Sequence, residues 1–343
     1  MESVLGRREE DEFPIYRKGA FVAFQSFAGD QGGDRLPHYT KDVIGAFSVS
    51  DAAPACEDWI EDPTLFITRY EYANLYHTAT DWYNMWVTLD WAGLLQARND
   101  TRTLDGKQLT RPLPHRVVWL DGHAVGSLDS IWDTLFSPQI IRIGSLKRRT
   151  CFRRALFVPA GYSSPTYDWP DSCETQPAVR EFAQFVLGQH GLSHTAMIPS
   201  QATFLFREAY VAHPRNPGGS ASRHVANRKE LEAVLDRIGG KSMNPVGMSF
   251  HDQLQMVRQS CLLVGVHGAG LTHVLFMADG AKVLELQPPT HPLQHFQKLA
   301  RWTGVQYLAT PYDLSLVSVG AEEYRVPEKP FETFVSSQVE APR

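Results

Sequence analysis

The chain has 343 residues, 43% of them apolar and 21% charged, with a formal net charge of −5. That is enough chain for two cores of ordinary globular composition, and the balance gives no electrostatic case for a nucleic-acid partner. No run approaches the ~20 apolar residues of a membrane span. The opening segment, Glu2 to Phe13, is polar and acidic rather than a signal peptide.

In chain order, residues 1 to about 20 read as a poorly ordered lead-in. Thr64 to Thr68 predicts a strand. Tyr76 to about Leu95 carries Tyr83, Trp86, Val87, Trp91, Leu94 and Leu95 at close to helical spacing. Arg98 to Pro114 is polar with two prolines and reads as a surface loop. His115 to Leu120 is a second strand, Leu128 to Phe136 a short helix and Cys151 to Val158 a further strand. Tyr162 to Gln176 reads as loop. Val179, Phe182, Val186 and Leu187 then mark a helix before Gly191.

The second half is more regular. Phe204 to Phe206 is a strand ending at Arg207. Asn227 with Glu230 forms a capping-box pattern ahead of Leu231, Val234, Leu235 and Ile238, and Gly239-Gly240 stops that helix. Asn244 to Ser249 is a weak strand and Asp252 to Ser260 a helix. The apolar run Cys261 to Val266 is a buried strand that stops at His267-Gly268-Ala269-Gly270, and a helix-like segment, Leu271 to Met277, follows. Strand Lys282 to Leu286, helix Leu293 to Trp302 and strand Val305 to Leu308 complete the alternation, which argues for parallel βαβ units. The expectation is an α/β protein of two domains, 21–195 and 196–343, with the last segment packing back on the first domain.

Glycines directly after a strand let backbone N–H groups approach a phosphate, and the next helix offers its positive end. The pattern is neither a Walker motif, since no Gly-Lys-Ser/Thr follows, nor the dinucleotide fingerprint. His267, Gly268, Ala269, Gly270, Thr272 and His273 are therefore candidates for holding a nucleotide diphosphate. Arg207 suits the same task through its bidentate guanidinium. Glu285 suits the ribose hydroxyls, as the acidic residue of a dinucleotide site does. His77 and Asp81, four apart on one helix face, can act as a general base or equally serve as a packing pair. Asp121 and His123 end a strand, where Asp121 can also simply shape the turn. Trp and Tyr side chains can stack on sugar rings. No Asp-x-Asp occurs, so the carboxylate pair that holds Mg²⁺ or Mn²⁺ on a nucleotide is missing, and no metal is expected. The four cysteines have no metal-type spacing, and Cys261 reads as a free core thiol. Asn99-Asp100-Thr101 is a glycosylation sequon.

Five stretches in order, Arg69–Tyr83, Val118–His123, Phe206–Arg215, Asp252–His273 and His295–Tyr307, resemble glycosyltransferase family 61, most closely its plant-type N-glycan β1,2-xylosyltransferases. The animal relatives, which move N-acetylglucosamine onto protein Ser/Thr, share the Gly-rich turn. The resemblance implies a GT-B fold, two Rossmann-like domains facing a central cleft. It implies inverting, metal-independent transfer of xylose from UDP-α-xylose to the core β-mannose of an N-glycan. The alternative within the family is UDP-N-acetylglucosamine or UDP-arabinose with a protein or polysaccharide acceptor. By position, the second domain binds UDP and the first supplies acceptor and base: Asp81 as base with His77 orienting it and Glu71 in reserve, and Asn74, Trp82, Asp121 and His123 on the acceptor side. The resemblance also implies a Cys151–Cys173 disulfide and a Golgi-lumen setting. The family is anchored by an N-terminal membrane helix, and the expectation is that this chain is trimmed or an unusual member. A carbohydrate-binding protein with a degenerate site is the competing class, and a dehydrogenase is remote without its fingerprint.

Overall fold

A computed structural model describes residues 19–24, 38–52, 55–102, 108–136, 139–147, 149–167, 174–192, 201–208, 222–288 and 295–339. They form two compact units. One comprises the described residues up to 97 together with 110–167; the other holds 98–102, 108–109 and those from 174 onward. The expected lead-in falls almost wholly outside the described residues.

The first unit is built on β1 (Thr64–Ile67), β2 (Arg116–Trp119), β3 (Ile140–Arg142) and β4 (Ala155–Phe157), all parallel in the order β4-β1-β2-β3. Parallel strands are covered on both faces and so read as continuous apolar runs; β1 is buried at all four positions. After β1 comes α1 (Leu75–Trp91), capped by Asn74, whose Oδ1 accepts the Tyr76 N–H at 3.0 Å. This helix buries Trp82, Met85 and Leu89 completely. It ends earlier than its apolar spacing suggests, because Gly93 turns the backbone left-handed at φ 70° and Leu95 starts a strand. A second helix, α2 (Asp129–Leu135), follows β2.

Three expectations change here. The supposed loop at Arg98–Pro114 is a two-stranded ribbon, Leu95–Arg102 with Gln108–Pro112. It lacks the apolar alternation that reveals a strand in sequence. The single strand expected over Cys151–Val158 is two: Thr150–Phe152 pairs with Asp58–Ile60 in a separate sheet, and only Ala155–Phe157 joins the main one. Finally, Cys151 is bonded to Cys56, with Cα atoms 5.8 Å apart, and not to Cys173, which lies outside the described residues. The reason is the Asp58–Thr150 ribbon: its pairing sets Trp59 opposite Cys151 and delivers Cys56 to the same end. The bridge closes a sequence separation of 95 residues. Replacing both cysteines by serine should lower stability by about 2–4 kcal/mol, read from urea unfolding; an unchanged midpoint would show that the bridge does not form.

The second unit carries β5 (Gln201–Leu205), β6 (Lys241–Met243), β7 (Ser260–Val266), β8 (Lys282–Leu286) and β9 (Gln306–Leu308), all parallel in the order β6-β5-β7-β8-β9. Its helices are α3 (Pro177–Gln189), α4 (Arg228–Arg237), α5 (Phe250–Gln259), α6 (His295–Thr303) and α7 (Glu328–Gln338). The strand sought at Asn244–Ser249 lies just before it, at Lys241–Met243; Ser249 instead caps α5, its Oγ accepting the Asp252 N–H at 3.1 Å. Asn227 makes no side-chain cap. It donates to the Val326 carbonyl at 2.8 Å and accepts the Val326 N–H at 3.0 Å, tying the start of α4 to the segment that leads into α7. Phe331 and Val335 of α7 share a core with Phe204, Leu231 and Leu284. The last helix therefore completes the second unit's own core, and α3 also belongs to that unit. Among the described residues no helix is long and apolar enough to cross a membrane.

Candidate active site

In the second unit, Leu205, Gly265 and Glu285 stand in one row across β5, β7 and β8. The three strands run parallel, so Arg207, the His267 turn and Glu285 gather at one carboxyl edge, where ligands of such sheets bind. The turn after β7 is shaped by close approaches. A Cβ at Gly268 would lie 1.9 Å from Arg207 Nη1, and one at Gly270 would lie 2.6 Å from Leu205 Cδ2. Only glycine lets the guanidinium lie against the turn. Arg207 also donates from Nη2 to Ser222 Oγ at 3.3 Å. Ala269–Phe276 is a 3₁₀ helix rather than an α-helix.

Not every residue of this edge plays the part expected. His267 sits beside Glu285, its Nδ1 hydrogen-bonded to Oε1, and Glu285 Oε2 accepts the Tyr307 hydroxyl at 2.8 Å. Burial, with the Glu285 charge next in weight, pushes the Tyr307 phenol well above its ordinary range, so it stays a donor. Glu285 is fully buried and does not present the open edge that holding a ribose diol requires. His273 is fully buried beneath the turn, between the Gly270 carbonyl at 2.6 Å and Gln253 Oε1 at 3.0 Å. Burial lowers its pKa to about 4, so it is a neutral brace for the turn. Thr272 is fully buried with its hydroxyl unpaired among the described residues.

In the first unit, a carboxylate site forms at the start of α1. Glu71 Oε2 accepts from Asn74 Nδ2 at 3.0 Å and lies 3.3 Å from His77 Nε2, while Oε1 accepts the Tyr162 hydroxyl at 3.3 Å. Glu71 and His77 keep 13% and 15% of their side-chain exposure. The His77 ring stacks on Tyr162, centroids 5.0 Å apart. Asp81 lies one turn deeper and is 2% exposed; its Oδ1 accepts the Gly161 N–H at 2.8 Å and so anchors the turn that carries Tyr162. Trp82, expected on the acceptor side, is wholly inside the core.

Asp121 and His123 are likewise committed inward. Asp121 takes the fully buried Arg69 in a two-point grip, Nη2 at 2.7 Å and Nε at 3.1 Å, and Asp129 holds Nη1 at 2.7 Å. Burial alone would raise the Asp121 pKa; the Arg69 charge reverses this and holds it below the ordinary carboxylate range. The guanidinium lies 3.6 Å over the Trp119 ring. His123 Nε2 meets the Arg69 carbonyl at 2.8 Å and its ring stacks on Tyr72. This network fixes the end of β1 from which Tyr70 and Glu71 emerge. Asn99 falls within the ribbon strand Leu95–Arg102.

Sequence reasoning passed over Arg69, Tyr162 and Tyr307. Arg69 lies two residues after β1, as Arg207 lies two residues after β5, so the same strand-end signal marks it. Tyr307, on the last strand, carries a weaker version of that signal. Tyr162 has none, since its place depends on the buried bond between Asp81 and Gly161.

Comparison with known proteins makes the class a glycosyltransferase. The model of the family described as Glycosyltransferase 61 matches residues 59–284. The β-1,2-xylosyltransferase of Arabidopsis thaliana is 27% identical, over 96% of this chain and 72% of the relative. The β-1,2-xylosyltransferase RCN11 of Oryza sativa subsp. japonica is 29% identical, over 90% of this chain and 63% of the relative. The EGF domain-specific O-linked N-acetylglucosamine transferase of Pan troglodytes is 28% identical, over 74% of this chain and 46% of the relative. The chain belongs to glycosyltransferase family 61, and within it is similar to the plant xylosyltransferases, as its motifs implied.

Proposed function

We propose that this protein is an inverting, metal-independent GT-B enzyme that moves xylose from UDP-α-xylose in β1,2-linkage to the core mannose of an N-glycan. The observation that carries the reading is coverage: similarity to the two plant xylosyltransferases runs over 96% and 90% of the chain, against 74% for the N-acetylglucosamine transferase. Two parallel-sheet units, one with a Gly-rich turn after a strand and one with a mostly buried carboxylate that keeps some exposure, support it.

In this reading Glu71 takes the proton from the acceptor hydroxyl. The oxygen attacks the anomeric carbon from the face opposite UDP, the bond to the β-phosphate breaks, and the configuration inverts. His77, Asn74 and Tyr162 hold Glu71 in place. Arg207, His267 and the backbone N–H groups of the turn meet the charge that develops on UDP, without a divalent cation. The Cys56–Cys151 bridge suits an oxidising compartment such as the Golgi lumen.

The test is mass spectrometry of a biantennary N-glycan incubated with the protein, EDTA and either UDP-xylose or UDP-N-acetylglucosamine. A pentose gain from UDP-xylose alone is expected. A gain from UDP-N-acetylglucosamine instead would favour the second donor. A gain that EDTA abolishes would sink metal independence.

A further inference from the structure

Glu285 sits among the groups expected to meet the nucleotide, yet its side chain is enclosed by protein. It is fully buried, and both oxygens are occupied, Oε1 by His267 Nδ1 and Oε2 by the Tyr307 hydroxyl at 2.8 Å. Tyr307 is held in turn by Gln287 Nε2 at 3.3 Å. Three adjacent parallel strands supply the set: His267 follows β7, Glu285 lies on β8 and Tyr307 on β9. Their register alone brings the groups together.

We propose that Glu285 and Tyr307 are positioning residues for His267. The carboxylate accepts the Nδ1 proton, which fixes the ring orientation and leaves Nε2 as the atom offered to the donor diphosphate. This deepens the UDP-sugar reading and rests on it. Among the described residues nothing hydrogen-bonds Nε2. The groups that face the ring are the Glu285 carboxylate, the Tyr307 hydroxyl behind it, Phe296 of α6 with its centroid 5.4 Å away, and the Arg207 guanidinium against the neighbouring Gly268.

The chemistry follows from which proton is where. A histidine that donates Nδ1–H to a carboxylate has its tautomer set by that bond. In its cationic form it also donates from Nε2, and Glu285 balances the charge from behind. As the sugar–phosphate bond breaks, the electron pair passes to the β-phosphate oxygen. The Nε2–H bond to the diphosphate strengthens as that charge grows. His267 keeps its protons; the acceptor's proton goes to the base of the first unit. Tyr307 supplies a second donor to Glu285, so the carboxylate stays aimed at Nδ1 without turning toward solvent.

The test is isothermal titration of UDP into the full chain and into Glu285→Gln, His267→Gln, the double variant and Tyr307→Phe. Glu285→Gln should weaken UDP about tenfold. In the His267→Gln background it should cost nothing further, because a residue that acts only through another has no separate effect. Tyr307→Phe should show a smaller loss that also vanishes when it is combined with His267→Gln in a second double variant, and this pair carries the test if Glu285→Gln does not fold. Losses that multiply would mean Glu285 touches the nucleotide itself, and UDP binding by Glu285→Gln at the unaltered level would mean it does nothing; either overturns the proposal. The ¹⁵N shifts of the His267 ring, identified by their loss in His267→Gln, should report a protonated Nδ1 and should move in Glu285→Gln. Unmoved shifts would also overturn it. Failure of the unaltered chain to bind UDP is a separate result that removes the UDP reading beneath it.

Discussion

Replacing Glu71 with glutamine should lower turnover by about 10²–10⁴-fold while leaving UDP affinity unchanged. The variant keeps the shape of the side chain and can still accept from Asn74 or Tyr162, so the fold at the start of α1 is preserved. What it removes is the capacity to take a proton. Single-turnover transfer and UDP titration on the same preparation check both halves. Asp81→Asn is the necessary companion. Its amide oxygen can still accept the Gly161 N–H, so the turn that carries Tyr162 stays in place and transfer should fall far less. The reverse outcome, a silent Glu71→Gln and a dead Asp81→Asn, would return the base to Asp81. That would require the interior around α1 to open for the acceptor, since Asp81 is only 2% exposed.

Asp121→Ala should cost about 3–5 kcal/mol of stability, because it leaves a buried guanidinium with half its charge partners gone. Arg69 and Asp121 are both fully enclosed, and Asp129 offers Arg69 only one further bond, at 2.7 Å. The pH dependence has a definite sign. The folded-state pKa of Asp121 is depressed, so its contribution is present above the ordinary carboxylate range, about 3.9, and is lost as pH falls through the folded value. Urea midpoints of the two proteins should differ at neutral pH and draw together as the pH falls into the acid range. A variant with unchanged stability but lost transfer would instead make Asp121 an acceptor contact and remove the structural account.

Elements with long apolar runs or clear stops were legible in sequence. Strands Thr64–Ile67 and Lys282–Leu286 and the helix before Gly191 stand where periodicity puts them, because burial on both faces of a parallel sheet leaves a continuous apolar signature. The Gly-rich turn and Arg207 were legible too, since a glycine after a strand and a cation near a strand end are local features. Elements held by distant polar partners were not. The ribbon at Leu95–Arg102 is polar, the Asn227 side chain serves Val326 rather than its own helix, and Cys151 finds Cys56 through a strand pairing.

Sequence alone thus determined the α/β class, the family and the residue types that meet at the carboxyl edge of the second unit's sheet. Which candidate residues keep some exposure was decided only by tertiary structure. Glu71 and Asp81 are both carboxylates near the same helix start, and no local pattern tells them apart. The bond from Gly161 holds Asp81 in the interior at 2% exposure, and the capping Asn74 donates to Glu71, whose side chain keeps 13%. In the same way, strand register places Glu285 beside His267 and buries it, which no local pattern announces. Burial and pairing between residues far apart in the chain are properties of the packed core, and they select the chemistry from candidates that composition leaves equal.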